Sequence, residues 1–279
     1  MSNSLSVNIQ RFRKERGMTQ KTLAEKLGVT FQTISKWETG QAVPVSMLIP
    51  SLAKSLNISV DSLFGYSASG TDPAFYESYY QNDKYFWGVM PSKSCLKVLE
   101  FVTPPSSDRN KEVLKLLDIG CGEGKDAVFF ARLGFDVTAF DISASGIEKT
   151  KRLAEDARVN IRTFVANINE FRLEENFDIL FSNGVLHYIK PKLRDEIMAN
   201  YKAHVNDQGI VALHVFVNKP FIEEPPPAKE EKYYQWKSGQ LLTYFHDWYV
   251  EEFDEYIFEC GSFNIPHRHC ANRLFAKRV

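Results

Sequence analysis

The sequence predicts an α/β body on a mainly parallel sheet, closed by an antiparallel C-terminal strand pair and preceded by a small all-α unit. Three observations carry this. From Leu114 onward, short apolar runs alternate with helical patterns, the mark of a parallel sheet covered by helices. The last two apolar runs, over 248–258 and 273–277, have no long helical pattern between them, so they read as antiparallel neighbours. Charge, finally, is split: residues 1–70 hold eight Lys/Arg and four Asp/Glu, a net +4, and the remainder holds 26 and 31, a net −5. A basic segment joined to an acidic body suggests two partners of different kinds.

The first unit reads as helices over 7–66. Residues 7–16 form a basic amphipathic helix with Ile9 and Phe12 on one face, and Gly17 can end it in the left-handed conformation. Thr19 caps a helix over 20–27, Gly28 turns the chain, Thr30 caps a helix over 31–38, and Gly40 closes it. Helices over 46–56 and 60–64 complete the unit. Ala24, Leu27, Val29, Ile34, Trp37, Leu48, Leu52 and Leu63 are its expected core. Residues 65–72 are small and polar, so a linker over 67–74 is expected between domains 1–66 and 75–279.

The body opens with an aromatic segment over 75–87 and a helix over 92–102. Five strands follow, over 115–119, 136–141, 161–165, 177–182 and 209–216, and the C-terminal pair brings the sheet to seven. Residues 225–232 (PPPAKEEK) read as an exposed loop.

Strand 115–119 runs into Gly120-Cys-Gly-Glu-Gly124, with a helix expected from Lys125. Glycines allow a tight turn and a close ligand approach, and the helix start offers free N–H groups. Seventeen residues beyond Gly124 the second strand ends in Asp141, placed to accept hydrogen bonds from both hydroxyls of a ribose. A dinucleotide-binding dehydrogenase needs Gly-x-Gly-x-x-Gly, but position 125 is lysine. Asp118 before the loop would repel a pyrophosphate and suits a ligand with a cationic amino group.

Residues 114–217 resemble the class I, Rossmann-like methyltransferases, with LLDIGCGEG, VTAFDIS, VANINEF and FDILFSNGVLHYI in the family order. The resemblance implies S-adenosylmethionine as cofactor. Asp118, Gly120, Cys121 and Gly122 would form its loop, Asp141 and Ile142 would meet the ribose and adenine, and Asn167 and Ile168 would flank the adenine. Ser182, Asn183 and Val185 would line the pocket after the fourth strand. Phe86-Trp-Gly-Val-Met-Pro-Ser92 resembles the leading motif of small-molecule methyltransferases, with Tyr85 and Trp87 expected on the cofactor. Residues 239–279 are similar to the tellurite-resistance, TehB-like group, although the group's Glu-Leu-His-Arg stretch reads Glu259-Cys-Gly-Ser262 here.

Residues 10–20 (QRFRKERGMTQ) and 28–40 (GVTFQTISKWETG) closely resemble the Cro/repressor-type (XRE) helix-turn-helix family. Residues 1–66 would then bind double-stranded DNA, as a homodimer, with helix 31–38 in the major groove. Phe31, Gln32, Thr33 and Lys36 would face bases or phosphates, with Thr30 at the helix start and Gln20 on a phosphate. Arg13 and Glu38 match a structural pair of the family.

Methyl transfer to a soft nucleophile such as a thiolate needs no general base, whereas an oxygen or nitrogen acceptor does. His187 is the only candidate base in the core motifs, and a structural role for it is the stronger expectation. The amino-methylating DNA enzymes carry Asn/Asp-Pro-Pro-Tyr/Phe after strand four and the cytosine-5 enzymes a Pro-Cys; this chain has Ser182-Asn-Gly-Val185 and no Pro-Cys. A small-molecule acceptor is therefore expected. The alternative is a transcriptional regulator whose methyltransferase fold senses the cofactor or an effector without turnover. Cys260, His267, His269 and Cys270 lie close in sequence but lack a Cys-x-x-Cys element, so no metal is expected. Scattered cysteines, no apolar run of membrane-spanning length and no basic-then-apolar leader point to a cytoplasmic protein.

Overall fold

The computed structural model describes residues 4–56, 58, 60–64, 73–104, 112–223, 233–261 and 266–279. The chain divides into two compact units, Met1–Ser69 and Gly70–Val279. Among the described residues no helix is long and apolar enough to cross a membrane.

The first unit holds α1 (Ser4–Glu15), α2 (Gln20–Leu27), α3 (Phe31–Glu38), α4 (Ile49–Ser55) and α5 (Val60–Leu63). Thr19 and Thr30 cap α2 and α3, each accepting from the N–H three residues on. The helix expected over 46–56 is split into a 3₁₀ turn, Ser46–Leu48, and α4. Pro50 lacks an N–H and is tolerated only in a first turn, so the α-helix must begin beside it. Ile9, Leu23, Ile34, Leu52, Leu56 and Leu63 are fully buried, while Val29 and Leu48 only flank the cluster.

A buried ion pair braces this unit. Arg13 donates from Nε and Nη2 to the two oxygens of Glu38, at 2.5 and 2.9 Å. Gln20 donates to the same carboxylate at 2.8 Å. Burial pushes the Glu38 carboxyl up, but the hydrogen bonds from Arg13 and Gln20 outweigh it and hold the carboxyl below its usual range.

In the second unit, α6 (Pro73–Tyr80) and α7 (Lys93–Val98) precede a seven-stranded sheet of order β3-β2-β1-β4-β5-β7-β6. The strands are β1 (Lys115–Ile119), β2 (Asp136–Asp141), β3 (Ile161–Val165), β4 (Phe177–Asn183), β5 (Val205–Val217), β6 (Tyr249–Cys260) and β7 (His267–Lys277). Helices α8 (Lys125–Arg132), α9 (Ala144–Ala157) and α10 (Arg194–Ala203) cover it, and a short α11 (Gln240–Thr243) precedes β6. The first five strands pair in parallel; β7 runs antiparallel to β5 and to the edge strand β6. Strand order reverses between β1 and β4, and ligands of such sheets bind at the carboxyl ends beside that reversal.

Two expectations are corrected, and a third falls outside the described residues. Of the linker over 67–74, residues 67–72 lie outside the described residues, and Pro73 already begins α6. The loop over 225–232 also lies outside them. The helix over 92–102 ends as an α-helix at Val98, because Leu99, Glu100 and Phe101 donate to carbonyls three residues back. That tightening ends the helix ahead of Pro104, which disfavours helical backbone before it.

Replacing Arg13 by Ala leaves Glu38 buried without its cation and should destabilise the helical unit by about 3–5 kcal/mol, read as faster amide exchange over residues 4–56. The Glu38 contribution is complete above the unfolded carboxyl pKa and is lost as pH falls through the lower folded value. Protection from exchange over the same residues, relative to the intrinsic rate at each pH, should therefore fall in acid more steeply in the wild type than in a Glu38→Gln variant.

Candidate active site

The loop after β1 leans on the end of β2: Gly120 and Cys121 both donate to the Phe140 carbonyl, at 2.9 and 3.0 Å. Gly120 has φ +73°, and a Cβ there would stand 2.5 Å from Val185, which follows β4. Gly124 has φ +86°, and its Cβ would meet Thr150 of α9 at 2.6 Å. Any side chain at either position would push the flanking elements apart.

Two carboxylates frame the loop. Asp141 accepts from Gly122 N–H and Ser143 N–H, each at 2.9 Å. Burial pushes its carboxyl up, against those hydrogen bonds. Asp118 is 2% exposed, and its Oδ2 has no hydrogen-bond partner among the described residues. Burial first, then the nearby Asp126 and Asp141 charges, push its carboxyl well above the usual range. Such a group gains most from a cationic partner.

The aromatic segment is pinned over this loop by three carboxylates. Glu77 of α6 accepts from Ser143 Oγ at 2.5 Å and Ser145 Oγ at 2.6 Å, at the start of α9. Glu123 accepts from Trp87 N–H at 3.0 Å and from Lys149 Nζ at 2.8 Å, and Lys149 also donates to the Lys84 carbonyl. Asp126 accepts from Ser92 N–H at 2.6 Å. Trp87 Nε1 donates to Tyr80 Oη at 2.8 Å, which brings both rings beside Gly122.

These elements enclose a cavity of about 350 Å³ at the carboxyl end of the sheet. Of the expected cofactor residues, Trp87, Asp118, Gly120, Cys121, Gly122, Asp141, Ile142, Ile168, Asn183 and Val185 line it. Three do not. Tyr85 turns to α9, its hydroxyl donating to the Lys149 carbonyl. Asn167 is drawn into its own turn, where its Oδ1 accepts from Asn169 N–H and its amide donates to Glu170. Ser182 is fully buried beneath, its hydroxyl donating to the Ile119 carbonyl. Cys121 is not a reactive thiolate, because burial and Asp118 push its thiol well up.

The cavity continues under β5, β6 and β7, a wall that sequence reasoning missed. His187 does line it, and its ring stacks on Phe216 at 4.4 Å. His269 stacks on the other side of Phe216, also at 4.4 Å. Burial, then the neighbouring His214 and His269, hold the His187 pKa well below its usual value. Burial brings His214 and His269 down to about 4. His187 is thus a neutral, weak base rather than one poised near neutrality.

Residues 103–266, more than half of the chain, match the family model described as tellurite resistance protein TehB. The chain belongs to the TehB family. Residues 9–63 match a helix-turn-helix family model. The Haemophilus influenzae protein named "Probable S-adenosyl-L-methionine-dependent methyltransferase TehB" is 28% identical over 141 residues, 50% of this chain and 48% of that protein. A ubiquinone biosynthesis O-methyltransferase of Rickettsia canadensis is 28% identical over 116 residues, 42% of this chain and 48% of that protein. The chain spans about half the length of the curated relatives it matches. Among solved structures, TehB from Haemophilus influenzae aligns with a TM-score of 0.58 at 20% identity, over 74% of this chain and 67% of that one. The N-methyltransferase NodS of Bradyrhizobium japonicum, solved with S-adenosyl-L-homocysteine, aligns with a TM-score of 0.53 at 14% identity, over 73% and 96%. At these identities the likeness establishes the methyltransferase fold of the TehB-family unit.

Lys149→Met would leave the Glu123 carboxylate buried without its cation, a loss of about 3–5 kcal/mol. The expected result is a lower unfolding midpoint together with faster amide exchange over residues 84–92. Unchanged exchange there would show that the pair does not hold the aromatic segment.

Proposed function

We propose that this chain is an S-adenosylmethionine-dependent methyltransferase that acts on a small molecule and carries its own sequence-specific DNA-binding domain. The observation that carries the reading is Asp118: a fully buried carboxylate with an unpartnered oxygen, facing a cavity beside a glycine loop. An ammonium group satisfies it, as no phosphate would. Asp141, Ile142, Ile168 and Trp87 line the cavity; Asp141 would accept from the ribose hydroxyls, and the other three would offer apolar surface to the adenine. Asn183 and Val185 would flank the amino-acid portion. Bound there, the cofactor would supply an electrophilic methyl group on a sulfonium centre.

The acceptor side of the cavity is enclosed and aromatic, with His214, Phe216, Tyr256 and Phe258 on one wall, which suits a small acceptor. The weak basicity of His187 favours an acceptor that is already nucleophilic, such as a thiol or a heavier chalcogen. In the helical unit, Phe31, Gln32 and Lys36 are exposed on α3. Thr30 and Thr33 are engaged in the cap between them. Gln20 spends one amide N–H on Glu38 and keeps its second for a phosphate. DNA binding as a homodimer follows from this reading, as does a cytoplasmic location, which the absence of a disulfide among the described residues supports.

Calorimetry of the full chain with S-adenosylhomocysteine should give one binding event, weakened about ten- to a hundredfold by Asp118→Asn. No binding by the wild type overturns the reading. Labelled methyl transfer should appear on at least one of a panel of thiols, selenite, tellurite and phenols; no turnover combined with cofactor-dependent operator affinity would make the chain a sensor.

A palindromic fragment from the protein's own promoter should bind with a steep salt dependence, and Lys36→Ala should lower the slope of log K against log salt by about one. Absence of binding at low salt would remove DNA from the function.

A further inference from the structure

Cys260, His267 and His269 play no part in the function proposed above, and the strand register brings them together. β6 and β7 pair with Cys260 directly opposite His267. Side chains alternate across a strand, so His269 shares the face of His267 and Cys270 is sent to the other. The sulfur and two ring nitrogens lie within 4.8 Å of one another. The Nε2 atoms of His267 and His269 are 2.9 Å apart. All three residues are half-buried and line the cavity that holds Asp118 and Asp141.

We propose that Cys260, His267 and His269 bind a divalent d-block ion of the Zn²⁺ type, whose fourth coordination position opens into the cavity and takes the sulfur or oxygen of the methyl acceptor. One thiolate and two imidazoles are a donor set for borderline-soft ions, whereas Mg²⁺ and Ca²⁺ prefer oxygen. Three protein ligands with one open position are the arrangement of catalytic zinc; structural sites are closed by a fourth. Cys270, the obvious fourth, is buried on the opposite face, so the site stays open. Zn–S and Zn–N bonds of about 2.3 and 2.0–2.1 Å place tetrahedral ligand atoms roughly 3.3–3.6 Å apart. The sulfur needs to close on the ring nitrogens by at most about an ångström, and the two rings, now hydrogen-bonded, need to part by about half of one.

Two further features point to a ligand here. Phe216 stacks on His269 at 4.4 Å, and the Phe258 ring lies 5.6 Å from it, which fixes the orientation of that ligand ring. The Nδ1 atoms of His187 and His214, each on a side chain at least 95% buried, have no hydrogen-bond partner among the described residues, and both side chains line the same cavity. An acceptor held on the ion offers such atoms a partner. The ion would lower the pKa of the bound thiol or hydroxyl, whose proton leaves to solvent, and so supply the activation that His187 cannot. Ion binding stands independently of the methyltransferase reading; the acceptor's place on the ion rests on it.

The test is titration of the metal-free, phosphine-reduced full chain with Co²⁺. One equivalent should bind, with a thiolate-to-cobalt charge-transfer band and the strong visible absorption of a four-coordinate ion. Cys260→Ser should abolish the charge-transfer band. His269→Gln, on the other strand, should weaken binding at least roughly tenfold, and Cys270→Ser should change neither. A small thiol such as 2-mercaptoethanol, added to the loaded protein, should strengthen the charge-transfer band. No binding, or a charge-transfer band that survives in Cys260→Ser, overturns the ion site; a band indifferent to thiol overturns the acceptor's place on it. S-adenosylhomocysteine binding, measured on the same samples, fails separately if the cofactor reading is wrong.

Discussion

The ion pair between Glu123 and Lys149 is the constraint on which the cavity depends. It joins three pieces that are far apart in sequence: the loop after β1, helix α9 after β2, and the aromatic segment ahead of the sheet. Removing two charges from water is costly, and the pair is favourable only because its remaining valences are filled. Glu123 accepts from the Trp87 N–H, and Lys149 donates to the Lys84 carbonyl. The first of these, with the bond from Trp87 Nε1 to Tyr80 Oη, holds Trp87 and Tyr80 against the glycine loop. A methyl-transfer site needs positioning and exclusion of water more than it needs acid or base, and under the proposed function this clamp would serve both.

What was legible in the sequence was what short-range chemistry dictates. The caps at Thr19 and Thr30, the glycine loop, Asp118 before it and Asp141 after it are local signals, and each lies where it was expected. The first five strands and their parallel pairing followed from alternation alone. Tyr85, Asn167 and Ser182 were expected at the cavity by resemblance, and each is engaged elsewhere by a bond that spacing cannot disclose. Ser182 reaches the Ile119 carbonyl across the sheet, and Tyr85 reaches α9. Glu77, Lys149 and the histidine wall were missed for the same reason. The meeting of Cys260 with His267 is set by the register of β6 on β7, a long-range property, although alternation already separated His269 from Cys270.

The two units treat their buried carboxylates differently. In the helical unit Arg13 and Glu38 neutralise each other in the interior, so its net positive charge comes entirely from other side chains. In the second unit no ion pair to Asp118 or Asp141 is found among the described residues, and burial pushes both carboxyls up. A buried charge that is paired braces a fold, and one that is unpaired awaits a ligand.

The position of β6 at the margin of the sheet has one more consequence. Its twelve residues include five acids and no base. Glu251 and Glu259 are exposed along it. A second copy approaching rung by rung would set carboxylate against carboxylate, and an open strand edge guarded by charge resists such growth. At this edge, self-association through a continuous intermolecular sheet is opposed by the strand's own charge.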